Sequence, residues 1–343
     1  MQIHKLHLRH FRNYQEETFT FSPEINLIYG ANAQGKTNLL EALFLIGTGR
    51  SFRTGHLKEA IGQNHPFFFL EAEFKKEGIL QKVRLSFDGE VKKLDLNHTS
   101  YSHFNPLLGV IPTILLAPED VQIITGAPAE RRRLLNLHLA QSDPLYVFHL
   151  TRYTKALKQR NALLKQNSDD GIESWEALMV ASATYLREKR KSLIEELQSD
   201  LHAAMQTLSV DQDTLTIHYK PSFTTHYAKH RPREKLFGST LLGPHRDDLE
   251  ILINHLPAAS FASQGQLRSA IAALRLAQWK HLSRCHETPS LFCVDDFGVH
   301  LDKARQEALL AHLGSLAQVF LTSPQELEYG AQSRFSIVNG ALG

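Results

Sequence analysis

The stretch GANAQGKTNLLEAL, residues 30–43, follows the apolar run INLIY at 25–29 and leads into a second apolar run of helical period. Its first eight residues match G-x-x-x-x-G-K-[ST] at every fixed position. Glycines at 30 and 35 let a loop wrap so that the backbone N–H groups of Gly30, Ala31, Asn32, Ala33, Gln34 and Gly35 point at phosphates. Lys36 then reaches the outer phosphates and the Thr37 hydroxyl holds Mg2+, while Asn38 opens the helix expected at 38–46. The expected cofactors are ATP and Mg2+. A chance match in a glycine-rich turn would not come with a strand before it and a helix after it, and both are present.

Such a loop needs an acidic partner on a neighbouring strand to complete the metal shell. LFCVDD, residues 291–296, supplies one: four apolar residues, as in a buried parallel strand, then two carboxylates at its C-terminal end. Asp295 is expected to share the metal with Thr37, and Asp296 to polarise the attacking water. A third element, SQGQ at 263–266, opens a helix marked by Leu267, Ile271 and Leu274. A serine and a glycine at a helix N-terminus make an anion site through free N–H groups, the helix dipole and a hydroxyl. Ser263, Gly265 and Gln266 are therefore nucleotide-binding candidates. Lys36, Ser263, Asp295 and Asp296 are the catalytic ones. Taken alone, Ser263 would be an ordinary helix cap.

The segment from Ser263 to Gln266 resembles the Ser-Gly-Gly-Gln signature of ABC-type ATPases, with Gln264 in place of the first glycine. The resemblance implies that the signature of one protomer closes on the γ-phosphate held by its partner, in an ATP-dependent homodimer. Over almost its whole length the chain resembles the RecF family of bacterial DNA repair ATPases. The matching stretches are FRNY (11–14), the P-loop with NLLEA (38–42), GRSFRT (49–54), APED (117–120), GAPAERRR (126–133), QRNALL (159–164) and GPHRDDL (243–249). This resemblance implies DNA as partner, single-stranded and gapped duplex without sequence preference. It also implies RecR and RecO, slow DNA-stimulated ATP hydrolysis, and help in loading a RecA-type recombinase at gaps. Gly298-Val299-His300 stands before Leu301-Asp302 where the family usually has a Ser-Glu pair, and Asp302 remains available as a dimer-contacting aspartate. Glu119 or Asp120 can take over work of the glutamine loop. His245, Asp247 and Asp248 fit a hydrogen-bonded turn near the nucleotide cleft better than a metal site, because their spacing matches no ligand set.

The 343 residues suggest two domains. The expected class is α/β: an ABC-type P-loop ATPase domain with an inserted α-helical second domain. Residues 1–127 form its first part, 128–225 the helical insertion, and 226–343 the part with signature and acidic strand. Between 130 and 208 apolar residues recur every three or four positions, interrupted at 166–171, as two long helices folding back on each other would show. Net charge is only +2, with 38 basic against 36 acidic residues. The local balance is uneven. Residues 131–165 hold eight basic residues and one acid, a net +7, whereas 166–200 hold four against eight, a net −4. Arg152, Lys155 and Arg160 are thus candidates for tracking a DNA backbone. A solvated helix paired with its acidic neighbour is the plainer alternative, and Arg9, His10 and Arg12 form a second candidate face. Two cysteines give no disulfide framework, and no apolar run is long enough for a membrane span, so a cytoplasmic protein is expected. Two rival functions share these motifs: a nucleotide-gated DNA-binding scaffold with negligible hydrolysis, and a small-molecule kinase.

Overall fold

The computed structural model describes residues 1–209, 212–298, 302–327 and 330–343. Its central sheet has the order Ala341–Leu342, Ser333–Val338, Ile25–Tyr29, Val319–Ser323, Leu291–Val294, Thr113–Leu116. All its pairings are parallel except the outer hairpin. Period-two alternation divides the strands between two cores. Ile28, Leu115, Leu291, Cys293 and Phe320 face one, and Leu27, Ile114, Phe292, Val294, Val319 and Leu321 face the other. Burial on both faces is why these strands read as unbroken apolar runs.

The first core holds the P-loop helix, Lys36–Thr48, between the central sheet and an antiparallel sheet of order Tyr14–Thr20, Gln2–Phe11, Phe68–Lys76, Ile79–Phe87, Lys92–Leu96, Thr99–Tyr101. Packed from both sides, this helix needs no polar face, and Leu39, Leu40, Leu43, Leu45 and Ile46 are all buried. Gly49, at φ 70, ends it by returning its N–H to Leu45 O at 2.7 Å. In the first strand, whose buried residues are Ile3, Leu6, Leu8 and Phe11, a bulge between Ile3 and Lys5 explains the break in alternation from 3 to 6.

The second core packs helices Pro128–Ser142, Pro144–Lys165, Ile172–Leu208, Gln264–Cys285 and Lys303–Gly314 against the other face of the sheet. The helical hairpin turns at 166–171 as the periodicity indicates. The sequence reading missed one break. At Asp143 the side chain accepts from Leu145 N at 3.0 Å and Pro144 occupies the first helical turn, so two helices stand where one was expected. A three-stranded sheet, Leu256–Pro257, Asp248–Ile253 and Leu215–Lys220, packs on the long helix and joins residues on either side of position 225.

Candidate functional site

The C-terminal ends of strands Ile25–Tyr29, Leu291–Val294 and Val319–Ser323 converge where the P-loop helix begins, the edge at which open parallel sheets bind ligands. Gly30 and Gly35 have φ values of 147 and 122. A Cβ on Gly30 would lie 2.5 Å from Ile337 O, and one on Gly35 would lie 2.8 Å from the Asn13 side chain. Both glycines are therefore required by conformation and by space. The loop is braced from outside. Asn13 Nδ2 donates to Gln34 O at 2.9 Å, Tyr14 OH to Gly35 O at 3.0 Å, and Asn38 Nδ2 to Asn13 Oδ1 at 2.7 Å. Ala31, Asn32 and Ala33 stay exposed. Glu41, fully buried, accepts from Arg12 through two hydrogen bonds of 2.8 and 2.7 Å and from Ser51. The FRNY, NLLEA and GRSFRT stretches thus form one scaffold around the loop. Its long sequence separations kept that role out of reach of a local reading.

Lys36 is 4% exposed, and its Nζ donates to Gly30 O at 2.8 Å and Ala31 O at 2.9 Å. No carboxylate pairs with it among the described residues. Across the site Asp295, 7% exposed, accepts at Oδ1 from Thr37 Oγ1 at 3.0 Å and from Thr322 Oγ1 at 2.8 Å. Burial, with negative charge from Asp296 and Glu119, pushes the Asp295 carboxyl up to about 6 against these two hydrogen bonds. Thr322 was not foreseen. The available signal was a polar residue at the end of a buried parallel strand beside the acidic one. Its hydroxyl also accepts from Asp296 N at 2.8 Å, holding Asp296 at φ 50, a left-handed conformation that aspartate rarely adopts.

These oxygens suit Mg2+. Thr37 Oγ1 and Asp295 Oδ1 are 3.0 Å apart, close to the edge of roughly 2.9 Å between adjacent ligands of an octahedron with 2.0–2.1 Å bonds. Among the described residues no Lys, Arg or His pairs with the buried Asp295 carboxylate, which accepts from two hydroxyls, so a cation there would offset the cost of its burial. Thr37, Glu119, Asp120 and Asp295 line a cavity of about 320 Å³. Asp120 is paired with Arg275 at 2.6 Å, whereas the exposed Glu119 forms no ion pair among the described residues and its negative charge adds to the rise of the Asp295 carboxyl.

Ser263 stands apart from this cluster. It caps helix Gln264–Cys285 in a reciprocal box: Gln266 N donates to Ser263 Oγ at 3.2 Å, and Ser263 N donates to Gln266 Oε1 at 2.9 Å. Gln266 Nε2 is also engaged, by Asp213 at 2.9 Å. A Cβ on Gly265 would lie 3.0 Å from the Arg305 guanidinium. Ser263 is exposed and joins neither Lys36 nor Asp295 by a hydrogen bond among the described residues. Asp302 caps helix Lys303–Gly314 and pairs with Arg305. Of the three residues where the chain departs from the family pattern, Val299 and His300 lie outside the described residues, as does Leu301 after them.

The GPHRDDL turn is not at the nucleotide cleft, contrary to expectation. His245 Nδ1 meets Tyr153 OH at 2.7 Å, Asp247 pairs with the buried Arg190 at 2.6 Å, and Asp248 with Arg131 at 2.6 Å. It bolts the three-stranded sheet to the helical hairpin. The basic segment is corrected as well. Arg160 is fully buried, 2.7 Å from Glu234 and 3.0 Å from Glu176, and cannot touch DNA. Arg131 and Arg12 are likewise held by internal carboxylates. Arg133, Lys155, Lys158 and Lys165 remain exposed, as does Arg9, while Arg152 is half-buried.

A P-loop facing an acidic strand across a parallel sheet, with a serine-led helix beyond, defines an ABC-type ATP-binding domain. The sequence model of the RecF/RecN/SMC N-terminal domain matches residues 2–338. The DNA replication and repair protein RecF of Protochlamydia amoebophila is 43% identical over 337 residues, 94% of each chain. That of Chlamydia caviae is 38% identical over 340 residues, 94% of this chain and 92% of its own. Solved structures of the recombination mediator protein RecF-ATPrS and RecF-ATP in the RecFOR pathway superpose with a TM-score of 0.91, at 27% and 26% identity. They cover 99% of this chain and 97% and 96% of theirs. An Smc head bound to the C-winged helix domain of ScpA, at 16% identity and a TM-score of 0.57, shares the fold. The chain belongs to the RecF family of DNA replication and repair proteins. Among its described residues no helix is long and apolar enough to cross a membrane.

Proposed function

We propose that this protein is a cytoplasmic, ATP-dependent DNA-binding protein of replication and recombinational repair, which dimerises on DNA around ATP and helps load a RecA-type recombinase at single-stranded gaps. The observation that carries this reading is the split site. Lys36, Thr37 and Asp295 form a nucleotide half-site whose buried lysine and carboxylate have no ion-pair partner among the described residues, while Ser263 is exposed on a separate helix, as a half-site for another copy would be. In this reading the backbone of residues 30–38 cradles the phosphates and Lys36 leaves the Gly30 and Ala31 carbonyls for the γ-phosphate. Thr37 and Asp295 hold Mg2+, which supplies charge neutralisation on the phosphate oxygens. Asp296, fixed by Thr322, orients the attacking water. Ser263 of one copy, with Gly265 and Gln266 shaping its helix end, closes on the phosphate bound by the other. Hydrolysis is slow, DNA-stimulated, and times release.

The RecFOR pathway named for the solved relatives supports RecR and RecO as partners. Exposed Lys155, Lys158 and Lys165 support sequence-independent contact with single-stranded and gapped duplex DNA. We place the helical insertion at 128–225 between ATPase parts 1–127 and 226–343, since Pro128 opens its first helix. Sedimentation with and without ATP and gapped DNA tests the proposal. A dimer that needs ATP is expected, and a monomer under every condition would refute it.

A further inference from the structure

A run of hydrogen-bonded polar side chains, buried at Gln278, His138 and His281, connects the metal side of the nucleotide cavity to the long helix. It begins at Asp120, which accepts from Arg275 Nη2 at 2.6 Å and Nε at 3.0 Å, and whose Oδ2 also accepts from Ala117 N at 3.0 Å. Arg275 Nη1 donates to Gln278 Oε1 at 2.9 Å, and Gln278 Nε2 donates to His138 Nδ1 at 3.2 Å. His138 Nε2 meets His281 Nδ1 at 2.9 Å, and His281 Nε2 meets Glu196 Oε2 at 3.0 Å.

Direction matters here. Burial lowers the pKa of both imidazoles, so each ring is neutral and holds one proton. The partners assign the tautomers: Gln278 donates to His138 Nδ1, so His138 carries its proton on Nε2, and Glu196 requires the His281 proton on Nε2. Every donor from Arg275 to Glu196 then points the same way. A chain of this kind transmits orientation, because reversing one member leaves two donors or two acceptors facing each other.

The chain also joins three functional elements. Glu196 is on helix Ile172–Leu208 in the helical lobe. Arg275, Gln278 and His281 are on the helix that Ser263 heads. Asp120 is in the 117–121 loop that carries Glu119 beside Asp295. His138 and Arg275 line the same cavity as Thr37 and Asp295.

We propose that Arg275, Gln278, His138, His281 and Glu196 form a positioning relay that holds the 117–121 loop, and with it Glu119, against the metal-side carboxylate. The state of the helical lobe and of the Ser263 helix thereby sets how well the nucleotide half-site is organised. The relay rests on the ATPase reading above. Among the described residues none of its five members hydrogen-bonds to Lys36, Thr37 or Asp295, so loosening it is expected to lower turnover more than substrate binding.

The test uses the full chain with ATP, Mg2+ and gapped DNA, comparing wild type with Gln278→Leu, His281→Leu and His281→Gln. Both leucine variants are expected to lose about three- to tenfold in kcat with KM for ATP changed less than about twofold. The glutamine variant, which keeps one donor and one acceptor, is expected to recover most of that loss. Unchanged kcat, a rise confined to KM, or equal loss in His281→Gln and His281→Leu overturns the relay. Should the leucine variants fold poorly, Glu196→Ala removes the half-exposed end of the chain and is expected to lower kcat in the same sense; no change there overturns the relay. Hydrogen exchange of the 117–121 amides reads the hold without turnover. It is expected to quicken in Gln278→Leu, and unchanged protection counts against the relay. A wild-type protein that hydrolyses no ATP would instead overturn the ATPase reading, while the exchange result still judges the hold.

Discussion

At the nucleotide loop Lys36 is buried to 4% exposure and, among the described residues, meets the carbonyls of Gly30 and Ala31 and no carboxylate, whereas in the helical lobe Arg160 and Arg190, buried as deeply, each meet carboxylates. The acids show the same contrast. Asp295 is held by two hydroxyls and its pKa rises, while Asp247 accepts from Arg190, Tyr219 and Ser222 N. Burying a charge is costly unless it is paired and hydrogen-bonded. Compensated charge therefore marks the scaffold, and uncompensated charge marks where ligand charge belongs. A sequence shows which residues are charged but not which of these two fates each meets.

The largest expected effect lies in the scaffold. Arg160→Ala leaves the buried Glu234 without its cation, although Glu176 keeps Arg231, and should cost about 3–5 kcal/mol of stability in urea unfolding. A loss below about 1 kcal/mol would break the contrast. Next comes Lys36→Ala, expected to leave stability nearly unchanged and to lower ATP turnover about 10²–10³-fold, measured as phosphate release.

Asp295→Asn sharpens the comparison from the acid side. The folded carboxyl titrates near 6 against an ordinary 3.8, so ionising it costs the folded state. That cost is complete above the folded value and disappears as pH falls below the unfolded one. At pH 8 the unliganded variant should therefore be more stable than wild type, by on the order of 2–3 kcal/mol, and lose this advantage near pH 4. Thermal unfolding across that range checks the sign. The smallest expected effect is on the surface. Lys155→Glu with Lys158→Glu should leave stability within about 0.5 kcal/mol and flatten the salt slope of DNA binding by one to two units. An unchanged slope would move the DNA face to another exposed cation, such as Arg9.

The P-loop, the acidic strand and the Ser263 cap were legible because each is local. Fixed glycine spacing, a four-residue apolar run and a capping residue carry their meaning within a few positions. The hairpin turn at 166–171 was legible for the same reason. Arg160 misled because its partners lie 16 and 74 residues away, at Glu176 and Glu234, and helical periodicity describes only the helix it sits on. GPHRDDL was conspicuous as a motif, but its contacts at Arg131, Tyr153 and Arg190 exist only after folding. Thr322 escaped notice because a threonine at a strand end is common. Two strands must be placed side by side before its hydroxyl is seen between Asp295 and Asp296.

The central claim is that a working pocket takes its lysine loop from one copy and its serine from another. Mixing inactive Lys36→Ala with inactive Ser263→Arg tests it directly, because a mixed pair holds one intact pocket of two. ATP turnover in the mixture should return to roughly a quarter of the wild-type rate at equal total protein, as random pairing of copies requires. A mixture as inactive as either variant alone would contradict the account.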